Sequence, residues 1–335
     1  MCVVSGPLLT AADSHFRSEM TAQAARGRAE LLRQVRGFFD ARDFIEVQPP
    51  VLSSEFVIDR HIDPIVVDIP IASSHEGNRW YLQSSPEAAM KRLMAGGELP
   101  QIYSLGPVFR AGEAGSRHNP EFTMLEWYRV GDDLKSVCGL IDDLLATALD
   151  ASPAARVRYT EAFLEHVGVD PLTADVRTLI EASKRLGVAV DASFSEDRDD
   201  WLNLLAAEVV QEQLGRDCPT ILTHFPASQA ALARLDAQDS RVAERFEVFV
   251  EGMELANGYV ELLDADELQR RCIEENRLRE LDGKTALPQP LKLLAAMRAG
   301  LPPMSGCALG FDRLVMLKLG LASIERAICF TVARA

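Results

Sequence analysis

The sequence predicts an α+β fold: an antiparallel β-sheet flanked by helices, with a helical insertion. Three observations carry this. Strand-like runs gather toward the two ends of the 335-residue chain, with helical patterns between them. Residues 101–130 read as one long antiparallel hairpin, two apolar, aromatic-rich runs around a polar loop. No internal repeat, low-complexity tract, G-x-x-x-x-G-K-[ST] loop or Rossmann glycine pattern points to another architecture.

Each element has its own signal. Residues 1–24 are polar and irregular and are expected to form a loose arm before one domain spanning 25–335. From Arg28 a helix is expected, because Leu31, Leu32, Val35, Phe38 and Phe39 recur at helical spacing up to about Asp43. Phe44–Val47 reads as a strand ended by Pro49-Pro50, and Ile65–Val67 and Trp80–Leu82 as two more. Ser85-Pro86-Glu87 has the chemistry of a helix start, with Ser as cap and Pro in the first position, and that helix runs to Gly96-Gly97. Residues 133–150 carry Leu, Ile and Val at helical spacing among acids. The helical insertion is expected over about 151–215, clearest at Trp201–Leu214. Strands follow at Thr220–Pro226, Phe246–Glu251 and 254–261, then a charged helix over Asp264–Glu280. Gly306–Gly310 is a short strand entering a last helix, Phe311–Leu319.

Composition narrows the function. Hydrophobic residues at 47% and charged residues at 25% are ordinary for a globular domain. No apolar run approaches the roughly 20 residues of a membrane helix, and the first residues lack a signal-peptide pattern, so a cytoplasmic protein is expected. Lys+Arg of 35 against Asp+Glu of 50 gives −15, the wrong sign for a protein whose main partner is nucleic acid. Six cysteines, none in a C-x-x-C pair or at zinc-finger spacing with His, read as reduced, mostly buried thiols.

The hairpin holds the first candidate site. Arg110 ends its first strand, and Glu113, His118 and Asn119 crowd its loop. The period of two puts Phe122, Met124, Glu126 and Tyr128 on one face and Thr123, Leu125, Trp127 and Arg129 on the other. A carboxylate and a phenol thus sit among core-like neighbours beside an arginine suited to phosphate, a floor for a cationic ligand. Glu254 and Glu261 are seven apart and would lie on opposite faces of an unbroken strand. A turn or bulge at Asn257-Gly258 would bring both to one side, where two acids can hold Mg²⁺ or an ammonium; a solvated strand edge is the plainer alternative. Arg313 lies in the opening turn of the last helix, where the dipole disfavours a cation unless an anion binds there or Asp312 neutralises it. Gly310 would let such a ligand approach the backbone. Capping alone explains Ser85-Pro86-Glu87.

In combination these segments resemble the class II aminoacyl-tRNA synthetases, over nearly everything from about residue 25 on. Arg28–Pro49 looks like motif 1, the dimer-forming element. Phe109-Arg110 with Phe122–Glu126 looks like motif 2, and Gly306–Arg313 like motif 3, with Glu254-Leu255-Ala256-Asn257-Gly258 preceding it. Arg117–Tyr128, His224–Gln229 and Arg241–Val248 are similar to the lysyl-tRNA synthetases and, closer still, to their stand-alone paralogues, the elongation factor P–(R)-β-lysine ligases.

The resemblance implies an AMP-forming ligase that uses ATP and Mg²⁺, activates (R)-β-lysine as an adenylate and transfers it to a lysine of elongation factor P. A homodimer is implied and tRNA is not. Arg110 would hold the α-phosphate and Arg313 cover the other side of the nucleotide, the two acting on the reacting phosphorus. Ala111, Gly112, Glu113, His118, Asn119, Phe122, Glu254, Leu255 and Gly310 would complete the nucleotide site, with Phe122 stacked on adenine. Ser85, Pro86, Glu87, Glu126, Tyr128, Asn257, Glu261 and Ala308 would line the lysine-type pocket, and Glu254 and Glu261 would hold metal. Two departures stand out. Gly112 occupies the usual Glu position of motif 2, with Glu113 one later. Ala308 replaces a Gly of the synthetases, which narrows the pocket. About 25 residues precede motif 1, too few for an anticodon-binding barrel, which with the acidic balance argues against a tRNA-charging core, while retention of Arg110, Arg313, Glu254 and Glu261 argues against a non-catalytic ATP- or amino-acid-binding paralogue.

Overall fold

A computed structural model describes residues 16–69, 79–190 and 194–335. The first helix, α1 (Ala22–Asp40), starts six residues before the apolar pattern suggests, because Thr21 caps it by accepting from the Ala24 amide at 3.1 Å. Part of the expected arm is therefore helix, and residues 1–15 of it lie outside the described residues. After α1 come β1 (Ile45–Glu46), β2 (Leu52–Ser53), β3 (Ile65–Asp68), β4 (Arg79–Leu82) and α2 (Glu87–Met94). Pro86, not Ser85, is the N-cap residue of α2; the Ser85 hydroxyl accepts from the Glu87 amide at 3.2 Å.

The hairpin is β5 (Gln101–Phe109) and β6 (Glu121–Val130), followed by α3 (Leu134–Leu149), capped by Asp133. The insertion opens with a strand, β7 (Ala155–Arg158), before α4 (Tyr159–His166), α5 (Val176–Arg185) and α6 (Arg198–Leu205), the last running on through a π-turn to Val210. The remainder is β8 (Thr220–Pro226), β9 (Val242–Val250), β10 (Met253–Val260), α7 (Ala265–Leu281), α8 (Leu291–Gly300), β11 (Met304–Gly310) and α9 (Phe311–Leu319). Helix α8 was not anticipated, although Leu293, Leu294 and Met297 form its buried face.

Eight strands make one sheet in the order β1-β5-β6-β11-β10-β9-β8-β7, and β2-β4-β3 make a smaller one. The centre is antiparallel as expected, but both edge pairings, β1 with β5 and β7 with β8, are parallel. Parallel neighbours need long crossovers, which hairpin signals in a sequence do not reveal. One face of the sheet buries Leu125, Trp127, Val248 and Leu309 against α1, α3 and α9. The other meets α2, α7 and α8 around Met90, Ile102, Tyr128 and Leu294, while α4–α6 pack their own cluster against Leu222, Phe225 and Phe249. The alternation read from β6 thus separates the two sides of the sheet. No helix among the described residues is long and apolar enough to cross a membrane.

Candidate active site

Central strands β6 and β10 carry polar side chains, and β11 its small residues, into a cavity of about 870 Å³, a size that suits a buried ligand. Its wall includes Ser85, Glu87, Arg110, Glu113, His118, Asn119 and Phe122, then Glu126, Tyr128, Glu254, Leu255, Asn257, Ala308, Gly310 and Arg313. Four other residues assigned by resemblance, Pro86, Ala111, Gly112 and Glu261, are not in that wall. Ala111 instead bonds its amide to the Asp63 carbonyl at 2.8 Å, tying the hairpin loop to the chain before β3. Gly112 has φ +78°, a left-handed turn that a side chain resists, so a Glu at that position would be strained and the carboxylate is carried by Glu113.

One group of wall residues is cationic. The Arg110 guanidinium lies 3.5 Å from Glu113 and 5.1 Å over the Phe122 ring, and its buried Nε has no hydrogen-bond partner. Arg313 donates to the Glu254 carbonyl at 2.7 Å and to His118 Nε2 at 2.6 Å, with the Glu254 carboxylate 3.9 Å away. His118 accepts that bond as a neutral ring, since burial and the adjacent Arg313 both lower its pKa. Asp312 does not neutralise Arg313, which removes the plainer of the two alternatives the sequence left open. It turns the other way, 2.5 Å from Arg28 of α1, and accepts from the Thr123 amide at 2.8 Å. That leaves Arg313 in the first turn of α9 with its positive dipole uncompensated by its neighbour. Asn119 anchors the loop: it donates to the Glu121 carbonyl at 2.6 Å and accepts from the Val332 amide at 3.0 Å.

The second group is acidic and buried. Tyr128 donates to Glu126 Oε1 at 2.7 Å, while Glu126 Oε2 is buried without a partner. Burial, reinforced by Glu87, pushes the Glu126 carboxyl up to about 8. Behind the wall, Lys91 reaches Glu87 and Glu261 at 2.5 Å each. Burial opposes its charge, but the two carboxylates outweigh that and hold the ammonium above its usual range. Burial, with the nearby Glu87 adding to it, pushes Glu261 up to about 7 against the pull of Lys91.

The strand carrying these acids does contain a register shift, but at Glu254/Ala256, not at Asn257-Gly258, where the ladder runs unbroken. The shift sets Glu254 opposite Phe249 and Asn257 opposite Glu247, residues of one face of β9. Gly258 is needed for another reason: a Cβ there would fall 2.3 Å from the Phe246 ring and 2.5 Å from the Gly306 carbonyl. Asn257 is oriented by its neighbours, accepting from Arg245 Nε at 3.3 Å and donating to the Tyr259 hydroxyl at 3.1 Å.

Glu254 presents oxygen to the cationic group and fits a hard divalent cation, whereas Glu261 has the Lys91 ammonium where a metal would sit. Among the described residues no group of three or more His, Cys, Asp and Glu is arranged to hold a metal. Sequence reasoning missed Lys91, Arg245 and Arg28. Lys91 had a local signal, its i,i+4 spacing from Glu87 on a predicted helix; the other two act across distances the sequence does not show.

A fold of this kind, with two arginines and buried carboxylates on the wall of one cavity, has a counterpart among known proteins. The chain belongs to the class II tRNA synthetases (D, K and N), whose pattern matches residues 10–334. Within that class it is 46% identical to an elongation factor P–(R)-β-lysine ligase of Salmonella typhi over 308 residues, 92% of this chain and 94% of the relative. The ligases of the same name from Yersinia enterocolitica and Salmonella schwarzengrund are 45% and 46% identical over the same shares.

Proposed function

We propose that this protein is an ATP-dependent ligase that activates (R)-β-lysine and transfers it to a lysine side chain of elongation factor P. One observation carries the reading: the Arg110 and Arg313 guanidiniums and the buried Glu126 carboxyl share the wall of a single cavity. The names of the relatives supply the substrates; the cavity supplies the chemistry they require.

In the first step a substrate carboxylate oxygen attacks the α-phosphorus of ATP, and the bond to the bridging oxygen breaks to release pyrophosphate. Arg110 and Arg313 hold the negative charge that spreads over the phosphoryl oxygens, and Phe122 offers its ring to the adenine. Held in place, the two reactants need no covalent intermediate with the enzyme. In the second step a lysine ε-amine of elongation factor P attacks the carbonyl carbon, AMP leaves and the amine loses a proton as the amide forms. Glu126 and Tyr128 receive an ammonium of the substrate, and Asn257, fixed by Arg245, orients it. Glu254 is the residue that would hold Mg²⁺ on the nucleotide, where the ion would draw charge from the phosphates. We further propose that the enzyme works in the cytoplasm as a homodimer formed through α1 and β1, with 25–335 as its catalytic domain.

The test is the reaction itself. Purified protein with ATP and (R)-β-lysine is expected to exchange labelled pyrophosphate into ATP and to add one β-lysyl mass to elongation factor P with release of AMP. Loading of total tRNA in place of elongation factor P, or exchange that ignores the amino acid, contradicts this reading.

A further inference from the structure

The helical insertion takes no part in the chemistry described so far, yet it helps to enclose the cavity. Asp197, Asp199, Asp200 and Asn203, at the start of α6, line it together with residues 57–62 and one side of α7. These elements come from distant parts of the chain, and one side chain joins them. Arg60 donates from Nε and Nη2 to the two oxygens of Asp282, at 2.7 and 3.0 Å. From Nη1 and Nη2 it donates to the two oxygens of Asp200, at 3.0 and 3.2 Å, and Nη1 also reaches Asp197 at 3.0 Å. Two forked carboxylate pairs on one guanidinium fix its plane as well as its charge. Arg60 is 13% exposed and Asp200 15%, so water screens this pair less than a surface one.

We propose that Arg60 is a positioning residue for amino-acid activation: it clasps α6 of the insertion to the loop before β3 and to α7, and so sets the wall of the cavity that the sheet does not form. The inference deepens the ligase reading and rests on it. The loop itself is anchored without the Arg60 side chain. Glu275 accepts from the Arg60 amide at 2.7 Å, and Lys284 donates to the Arg60 carbonyl at 2.9 Å. Arg279, buried in α7, donates to the carbonyls of Asp59 and Ile62 at 2.9 and 3.0 Å and to the Asp63 carboxylate at 2.8 Å. Those bonds hold the loop to α7 and the turn after it. Among the described residues, Arg60 makes the only hydrogen bonds and ion pairs from residues 56–63 to the insertion. The wall it sets adjoins the amine end, because Phe56 and Ile58 share a cluster with Met90, Tyr128, Leu268 and Cys272. The phosphate end is built from other elements, with Arg313 of α9 held by His118 and the Glu254 carbonyl. One cation here faces three carboxylates. Without it Asp197, Asp200 and Asp282 are left part-buried and repelling one another, and α6 moves away from the loop. Such a change loosens the amino acid more than the nucleotide.

The experiment is amino-acid-dependent pyrophosphate exchange on wild type, Arg60→Met, Arg60→Lys and Asp200→Ala, each at about 0.05 M and about 0.5 M salt. In Arg60→Met at low salt the KM for (R)-β-lysine is expected to rise about tenfold relative to wild type, and the KM for ATP less than about twofold. High salt screens the stranded carboxylates, so that rise is expected to shrink several-fold. Arg60→Lys keeps the charge but cannot make both forks, and an intermediate amino-acid KM is expected. If Arg60→Met does not fold, Asp200→Ala carries the test: it frees the insertion from one fork, and a smaller rise confined to the amino-acid KM is expected. An unchanged amino-acid KM, equal rises toward ATP and amino acid, or an Arg60→Met loss that salt does not move overturns the role of Arg60 while wild-type exchange still stands. Wild-type protein without exchange overturns the ligase reading and this proposal together.

Discussion

Glu126 has one carboxylate oxygen bonded to Tyr128 and the other buried with no partner, in a residue that lines the cavity. With its carboxyl pushed up to about 8 by burial, it is largely protonated in the empty site at neutral pH. An incoming ammonium must draw it into the ionised form, so binding releases a proton. Affinity for (R)-β-lysine is therefore expected to strengthen as pH rises toward 8, by up to about tenfold per unit, and to level off above it. Calorimetry in buffers of different ionisation heat reads the released proton directly. The sign for folding is opposite. A carboxyl raised from 4.5 binds more protons folded than unfolded, so its contribution to stability falls as pH climbs from about 4.5 to about 8. Glu126→Gln is expected to melt at or above the wild-type temperature at pH 8, to match it near pH 5, and to lose amino-acid-dependent exchange. A variant that melts lower at both pH values would show that the carboxylate stabilises the fold. At the phosphate end, Arg110→Ala is expected to lower exchange by on the order of 100-fold or more with an unchanged circular dichroism spectrum. Exchange at wild-type rates would remove Arg110 from the reaction. The pairing of Arg110 with Glu126 through the hairpin was legible in the sequence, since alternation alone sorts β6 into two faces. The turn of Asp312 away from Arg313 was not, because its partner Arg28 is 284 residues distant.

At the scale of elements, α9 is held at its first turn by α1 and β6 rather than by a side-chain cap. Arg28 bridges Asp312 and the Thr123 hydroxyl, the latter at 2.7 Å, and donates to the Ala327 carbonyl at 3.2 Å. Motifs 1, 2 and 3 thus meet in one ion pair, and the position of Arg313 depends on it. Arg28→Ala leaves Asp312 buried with its charge unmatched, a change worth about 3–5 kcal/mol for a fully buried pair and less here, where Arg28 is part-exposed. Thermal melting is expected to fall and the KM for ATP to rise. An unchanged ATP KM would show that α9 keeps its place without α1. On β11, Gly306→Ala would drive a methyl into Tyr128 and Glu261, costing about 1–3 kcal/mol and closing the amine end before the nucleotide end. Local signals found most elements here: the aromatic hairpin, the apolar spacing of α3, the charged run of α7, the apolar face of α1. They misplaced what an overlooked cap or a partner distant in sequence decides. The start of α1 follows Thr21 rather than the first apolar residue, β7 needed its partner β8 to be seen as a strand, and the bulge of β10 sits at Glu254/Ala256 although Asn257-Gly258 has the stronger turn chemistry.

For the whole molecule, the sheet spans motif 1 to the insertion, with β1 at one edge and β7 at the other. Its net charge of −15 keeps polyanions at a distance, so the positive groups that matter are those enclosed with the ligand. Edge strand β1 is two residues long, with Ile45 exposed. The proposed homodimer would use this edge with α1, and sedimentation is then expected to give twice the chain mass. A monomer that remains active would separate dimer formation from catalysis. The most direct measurement is a crystal structure of the protein with ATP and (R)-β-lysine. The α-phosphate is expected between Arg110 and Arg313, and one ammonium of the amino acid against Glu126. A nucleotide bound elsewhere, with both guanidiniums facing solvent and the acids empty, would contradict it.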